Sequence, residues 1–189
     1  MPALPFVDDG DATPEQRAVL EEVLAERGQV SGFARTLVHS PSALRAYEAL
    51  SRHIRTETPL PAELREIVIL RMAQRYANEY EWRRHFRAAI RAGLPEAKLA
   101  ALGTWRASEL FETRERCALA LVEDVADRQR PDAGTMAAAT EAFRPDELVE
   151  LLMLMGFYAL VAALIVPFGL IDDDEHPAAA IPMGSAQRG

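Results

Sequence analysis

Apolar residues recur along this chain every three or four positions, and no stretch alternates apolar and polar residues between hairpin turns. The longest such run extends from Ala62 to Ala92 without glycine or proline. Ile67, Leu70, Met72, Ala73, Ala77 and Tyr80 supply its apolar stripe. The pattern predicts one unbroken helix there, opened by Pro61 and closed by Gly93. Before it, Thr13-Pro14-Glu15-Gln16 reads as an N-cap, a first-turn proline and a capping-box glutamine, so a helix should run to near Arg27 and stop at Gly28. Ser31 and Gly32 mark a loop. Ser40-Pro41 repeats the start signal for a helix through Tyr47 to about Thr56. Leu94-Pro95 opens a short helix ending near Gly103, and Thr113 caps another through Val125. Pro131 and Gly134 separate that helix from a short one through Phe143, and Arg144-Pro145-Asp146-Glu147 begins the last. These elements predict an all-α, single-domain bundle of about 6–8 helices over residues 13–175, with a flexible arm at 1–12 and a loose tail at 176–189.

The last helix is apolar on every side. No residue from Leu151 to Ile171 carries a formal charge, which is long enough for a membrane span. Its flanks say otherwise. Glu147 and Glu150 precede it and Asp172, Asp173, Asp174 and Glu175 follow it, so neither end has the basic cluster that orients a span. Pro167 and Gly169 also interrupt its end. The segment is expected to be a buried helix of the core or of an oligomer interface, not a membrane anchor.

Charge and cysteine usage narrow the function classes. A net charge of −8 on 189 residues argues against nucleic acid as a partner. Cys117 is the only cysteine, so no internal disulfide, thiol redox pair or thiolate metal site can form. The stretch from Met1 to Asp11 carries Asp8, Asp9 and Asp11 and no basic residue, unlike a signal peptide. Both features predict a cytoplasmic protein.

The candidate chemistry lies in the run YANEYEWRRHFRAA. On a helix, Asn78, Glu81 and His85 share one face. Glu66, fifteen residues before Glu81, falls roughly 60° off that line and joins the group if the helix bends. A carboxylate and an imidazole four residues apart tune each other's pKa, and a second carboxylate supplies a proton-transfer partner. The same spacing also serves solvated ion pairs. Read as metal ligands, Glu66, Glu81 and His85 lack a second histidine, and no metal site is expected. Arg83, Arg84 and Arg87 flank the motif, and one of them could bind a substrate carboxylate through two parallel hydrogen bonds. Tyr80 and Trp82 read as packing residues. Tyr158 reads as a core or interface residue whose hydroxyl needs a partner.

The stretch LPAELREIVILRMAQRYANEYEWRRHFRAAIRAGLPEAKLAAL resembles the core motif of the carboxymuconolactone decarboxylase and alkylhydroperoxidase D superfamily. Its peroxidase members are similar in carrying a glutamate, a CxxC pair beginning twelve residues on, and a histidine four residues after the second cysteine. Aligned on His85, the glutamate falls at Glu66 and the cysteines fall at Asn78 and Glu81, so both cysteines are replaced. The run Glu81-Trp82-Arg83-Arg84-His85 instead resembles the Glu-Trp-x-x-His pattern of the decarboxylase branch. RTLVHSPSALRAYEAL and ELVELLMLMGFYALVAAL resemble helices before and after the motif, and the likeness spans about Gly28 to Asp174.

The resemblance implies an alkylhydroperoxidase D-like helical fold and a homo-oligomer, whether dimer, trimer or hexamer. It also implies cofactor-free acid/base chemistry, such as decarboxylation, isomerisation or lactone hydrolysis, on a small organic acid or lactone. Glu66, Glu81 and His85 would be catalytic, with Asn78 and Arg84 binding substrate. A non-catalytic oligomeric scaffold is the alternative. Thiol hydroperoxidase chemistry is disfavoured, since it needs one thiolate to attack peroxide and a second to resolve the sulfenic acid.

Overall fold

The computed structural model describes residues 4–170, so the tail from 176 and the acidic run at 172–175 lie outside it. The described residues hold nine α-helices and one 3-10 helix, and no strand. Two compact units are present. One contains the residues up to Glu57 together with Ile165–Leu170, and the other runs from Thr58 to Leu164.

The first unit is built from α1 (Pro14–Arg27), α2 (Gly32–Leu37) and α3 (Pro41–Thr56). The predicted capping box starts α1: the Thr13 amide donates to Gln16 Oε1 at 2.9 Å and the Gln16 amide to Thr13 Oγ1 at 3.3 Å. Gly28, at φ 73°, ends it. The stretch read as a loop around Gly32 is instead the short helix α2, because the Ser31 hydroxyl caps it by accepting from the Ala34 amide. Val19, Leu20, Val23, Phe33, Ala34 and Leu44 are buried, and Arg27 ties α1 to α3 through Glu48 at 2.6 Å and Ser51 at 2.8 Å. Residues of the expected N-terminal arm are pinned to α2: the Val7 amide donates to the Arg35 carbonyl at 3.1 Å, and Arg35 Nη1 donates to the Val7 carbonyl at 2.9 Å.

The second unit holds α4 (Ala62–Arg75), α5 (Glu79–Arg91), α6 (Glu96–Ala100), a 3-10 helix (Ala101–Ala107), α7 (Thr113–Arg128), α8 (Ala133–Ala142) and most of α9 (Pro145–Phe168). The long helix expected over 62–92 is two helices. The chain breaks at Tyr76–Asn78, so α4 and α5 form a helical hairpin. Ala77 sits at φ 50° in the left-handed region. The Asn78 amide donates to the Ala73 carbonyl at 2.9 Å and the Ala77 amide to the Gln74 carbonyl at 3.3 Å, which is the hydrogen-bond pattern of a Schellman stop. Asn78 then caps α5, its Oδ1 accepting from the Glu81 amide at 3.2 Å. Competition from this side chain for local backbone donors is the physical reason that the run does not continue. Ala77, expected on the apolar stripe, is exposed.

Ile67, Leu70 and Ala73 of α4 pack with Trp82 and Ala89 of α5 and with Leu99, Leu102, Trp105 and Leu119. Trp82 is fully buried there, as a packing residue. Another face of α4 carries a buried polar network to α7. Arg71 donates to Glu123 Oε1 through Nε at 2.9 Å and to Gln74 Oε1 at 2.8 Å, and Trp105 Nε1 donates to the same Glu123 oxygen at 3.1 Å. Burial pushes the Glu123 carboxyl up, but the Arg71 guanidinium and the Trp105 and Arg71 hydrogen bonds outweigh it and hold the group below its ordinary range. Among the described residues α9 alone is long and apolar enough to cross a membrane, and 44% of its most apolar window is buried within the protein.

Candidate active site

Three helices of the second unit bring the site together. Glu66 comes from α4, Glu81 and His85 from the first two turns of α5, and Tyr158 from the middle of α9. On one unbroken helix, Glu66 and His85 would stand about 28 Å apart along the axis. The hairpin turn at Tyr76–Asn78 folds α5 back along α4, and the Glu66 carboxylate meets His85 Nδ1 at 2.8 Å.

The other ring nitrogen is engaged too. His85 Nε2 lies 3.2 Å from Glu81 Oε2 and 2.9 Å from the Tyr158 hydroxyl. The Tyr158 ring meets the imidazole edge-on, with centroids 5.2 Å apart at 89°, and Phe157 packs edge-on against Tyr158 at 5.3 Å. His85 is 20% exposed, Glu66 14% and Glu81 8%, so solvent reaches the imidazole while both carboxylates are largely enclosed.

Electrostatics fix the resting protonation state. Burial pushes the His85 pKa down, but hydrogen bonds to Glu66 and Glu81, and then their charges, push it up further, to about 9. At neutral pH the ring is therefore an imidazolium. Its Nδ1–H donates to Glu66, and its Nε2–H is shared between Glu81 and the Tyr158 oxygen.

Residues 41–124 match the carboxymuconolactone decarboxylase family. Solved structures share the fold at low identity. An uncharacterised peroxidase-related protein from Silicibacter sp. TM1040 is 15% identical, with 93% of each chain covered and a TM-score of 0.76. A variant of the debrominase Bmp8 in complex with 2,3,4-tribromopyrrole is 16% identical, with 95% of this chain and 93% of that one covered and a TM-score of 0.72. The alkylhydroperoxidase AhpD core of a peroxidase-related protein from Ralstonia eutropha JMP134 is 17% identical, with 92% and 93% covered and a TM-score of 0.67. That family match spans less than half of the chain, and the solved structures show the alkylhydroperoxidase D-like fold over most of it. No curated protein matches it.

The match to the carboxymuconolactone decarboxylase family covers Glu66, Glu81 and His85 but ends before α9, so Tyr158 lies outside it. Glu66, Glu81 and His85 are in mutual contact through the imidazole. The side-chain oxygen of Asn78 is occupied as the α5 cap, and the residue is 2% exposed. Arg84 stacks on Tyr80 of its own helix, with the guanidinium carbon 5.4 Å from the ring centroid and Nη1 donating to the Tyr80 hydroxyl at 3.3 Å. His53 lies on α3 beside Glu57, at 3.2 Å. Cys117 is a free, half-buried thiol on α7. Among the described residues no group of three or more His, Cys, Asp and Glu side chains is arranged to hold a metal ion.

Tyr158 is the site residue that sequence reasoning places elsewhere. Its signal is a single hydroxyl in an uncharged helix, which has to find a partner.

Proposed function

We propose that this protein is a member of the carboxymuconolactone decarboxylase superfamily and a cofactor-free acid/base enzyme acting on a small organic acid or lactone. The observation that carries the reading is the grip on His85, with carboxylate oxygens at 2.8 Å and 3.2 Å and a phenol at 2.9 Å from its two nitrogens. That grip stores a proton on the ring at neutral pH, which makes His85 a general acid in the resting enzyme.

Decarboxylation of an acid bearing a conjugated carbonyl uses such a donor directly. The carbon–carboxylate bond breaks, carbon dioxide leaves, and the electron pair passes into the enolate. His85 Nε2–H then protonates the enolate carbon, and water restores the imidazolium. Glu66 holds the ring in orientation and compensates its charge. Glu81 and Tyr158 aim the Nε2 proton, and Tyr158 can donate to the developing enolate oxygen. Isomerisation of a lactone uses the same parts, with the carboxylate of Glu81 as base and His85 as acid.

The test is a panel of small lactone and β-keto acids in deuterated water, followed by NMR for loss of carbon dioxide or uptake of deuterium at carbon. His85→Ala and Glu81→Gln should each abolish turnover while the helical circular dichroism is kept. Full activity in both variants would sink the proposal. Thiol peroxidase chemistry lacks the second cysteine it needs, and blocking Cys117 tests for it independently.

A further inference from the structure

The His85 imidazolium has two N–H protons, and both are engaged inside the site. Nδ1–H goes to Glu66 at 2.8 Å. Nε2–H lies between Glu81 Oε2 at 3.2 Å and the Tyr158 hydroxyl oxygen at 2.9 Å. The side chain is 20% exposed, yet it has no third N–H to offer to a molecule arriving beside it. An arriving substrate takes its proton from a group beyond the ring.

Tyr158 is placed to be that group. Its oxygen accepts from Nε2–H, so its own hydroxyl proton is turned away from the imidazole. Accepting a hydrogen bond from a cation also draws electron density off the phenol oxygen and makes its O–H a stronger acid. His85 then stores the proton, and Tyr158 hands it over.

Glu81 shares the same nitrogen, and this decides the kind of reaction. A carboxylate base and a phenol acid are joined through Nε2, at 3.2 Å on one side and 2.9 Å on the other. A proton picked up by Glu81 therefore has a short way back to the nitrogen that reloads Tyr158. Decarboxylation uses the acid alone and draws a proton from water at every turnover. A double-bond shift uses both base and acid and returns the site to its starting protonation. Charge points the same way. Glu66 and Glu81 face a single imidazolium, which leaves one negative charge in excess, so the reacting part of the substrate is favoured when uncharged.

Resting on the acid/base reading above, we propose that the site is an isomerase site for a small β,γ-unsaturated lactone or ketone, with Glu81 as base and Tyr158 as acid. Glu81 takes the proton from the carbon between the double bond and the carbonyl, and the C–H electron pair passes into a dienolate. The Tyr158 O–H bond breaks as its proton forms the new C–H bond at the far end of the former double bond. The double bond moves into conjugation with the carbonyl, and Nε2–H crosses to the Tyr158 oxygen. Glu81 then returns its proton to Nε2. Product and substrate have the same atoms, and no electrons enter or leave.

Two probes in deuterated water, followed by NMR and corrected for the buffer reaction, test the proposal. They are α-angelica lactone, an uncharged β,γ-unsaturated lactone, and acetoacetate, a β-keto acid. The wild type should isomerise the lactone. In Tyr158→Phe, kcat for isomerisation should fall roughly tenfold or more with KM little changed. Lactone recovered from that variant should still gain deuterium at the carbon beside its carbonyl, because Glu81 is intact, and this exchange also shows that the variant is folded. Glu81→Gln should lose both exchange and isomerisation. Isomerisation by Tyr158→Phe within about threefold of wild type would overturn the proposal, since a proton donor contributes far more than that. Exchange and isomerisation falling together in Tyr158→Phe would overturn it too, as a purely structural role. Carbon dioxide released from acetoacetate with no lactone isomerised would overturn it and leave the acid/base reading standing. Inertness of the folded wild type toward both probes would count against that reading as well.

Discussion

Glu66 and His85 are nineteen residues apart in the chain and 2.8 Å apart in space. The turn between α4 and α5 closes that gap, and it also sets which ring nitrogen faces which acid. Nδ1 is committed to the carboxylate of α4. Nε2 is left for Glu81, Tyr158 and whatever enters beside them.

The titration of His85 follows from that pairing. Its Cε1 proton, followed by NMR, should titrate near pH 9 rather than near the usual 6.5. Glu66→Gln removes a hydrogen bond to the charged ring and should pull the midpoint down by at least about one unit. If His85 is the proton donor, kcat/KM falls as pH rises through the same midpoint and shifts with it in Glu66→Gln. A wild-type midpoint below 7 would contradict the geometry.

Stability should follow the same proton. The folded pKa of His85 is raised above its unfolded value, so its contribution is complete below about pH 6.5 and disappears as pH rises through about 9. Its size is on the order of 3 kcal/mol. Urea midpoints of the wild type should therefore drop between pH 6.5 and 9.5. In His85→Ala that drop should be absent, as the difference between the two curves shows directly.

Tyr158→Phe keeps the ring against Phe157 and removes only the hydroxyl next to Nε2. The fold should hold, with a stability loss of about 1 kcal/mol. Turnover should fall roughly tenfold or more if Tyr158 stabilises the enolate, with kcat affected more than KM. An unchanged kcat would reduce Tyr158 to packing.

The helix break offers a test of the fold itself. Ala77 is exposed and left-handed, a conformation that costs an L-residue about 1–2 kcal/mol. Ala77→Gly should raise stability by up to about 1 kcal/mol after the entropy it adds to the unfolded chain. Asn78→Ala removes the α5 cap and should lower stability by about 1 kcal/mol. Thermal melts of the two variants should move in opposite directions.

Helix starts are legible in the sequence where a cap and a proline stand together, as at Thr13-Pro14, Ser40-Pro41 and Arg144-Pro145. The break at Tyr76–Asn78 is not legible that way. It contains no glycine or proline, and its left-handed residue is an alanine, so periodicity runs through it. Asn78 is the one hint, and its spacing from Glu81 and His85 reads equally well as a shared helix face. The residue types of the site are therefore visible in the chain, while the meeting of Glu66 with His85 depends on a turn whose local cause, the Asn78 cap, is masked by an unbroken apolar period. Tyr158 is hidden differently: its helix is apolar on every side, so the pattern does not say which face it takes or which polar group it will meet.

The separation of Tyr158 from His85, 73 residues along the chain, also has a consequence for synthesis. A ribosome adding about 5–20 residues per second makes the α4–α5 hairpin roughly 4–15 s before it makes Tyr158. During that interval the imidazole can already be gripped by its two acids, but the nascent chain lacks the phenol and the helix that close over it. A chain truncated before α9 would thus carry both acids and the histidine but not the phenol that engages Nε2.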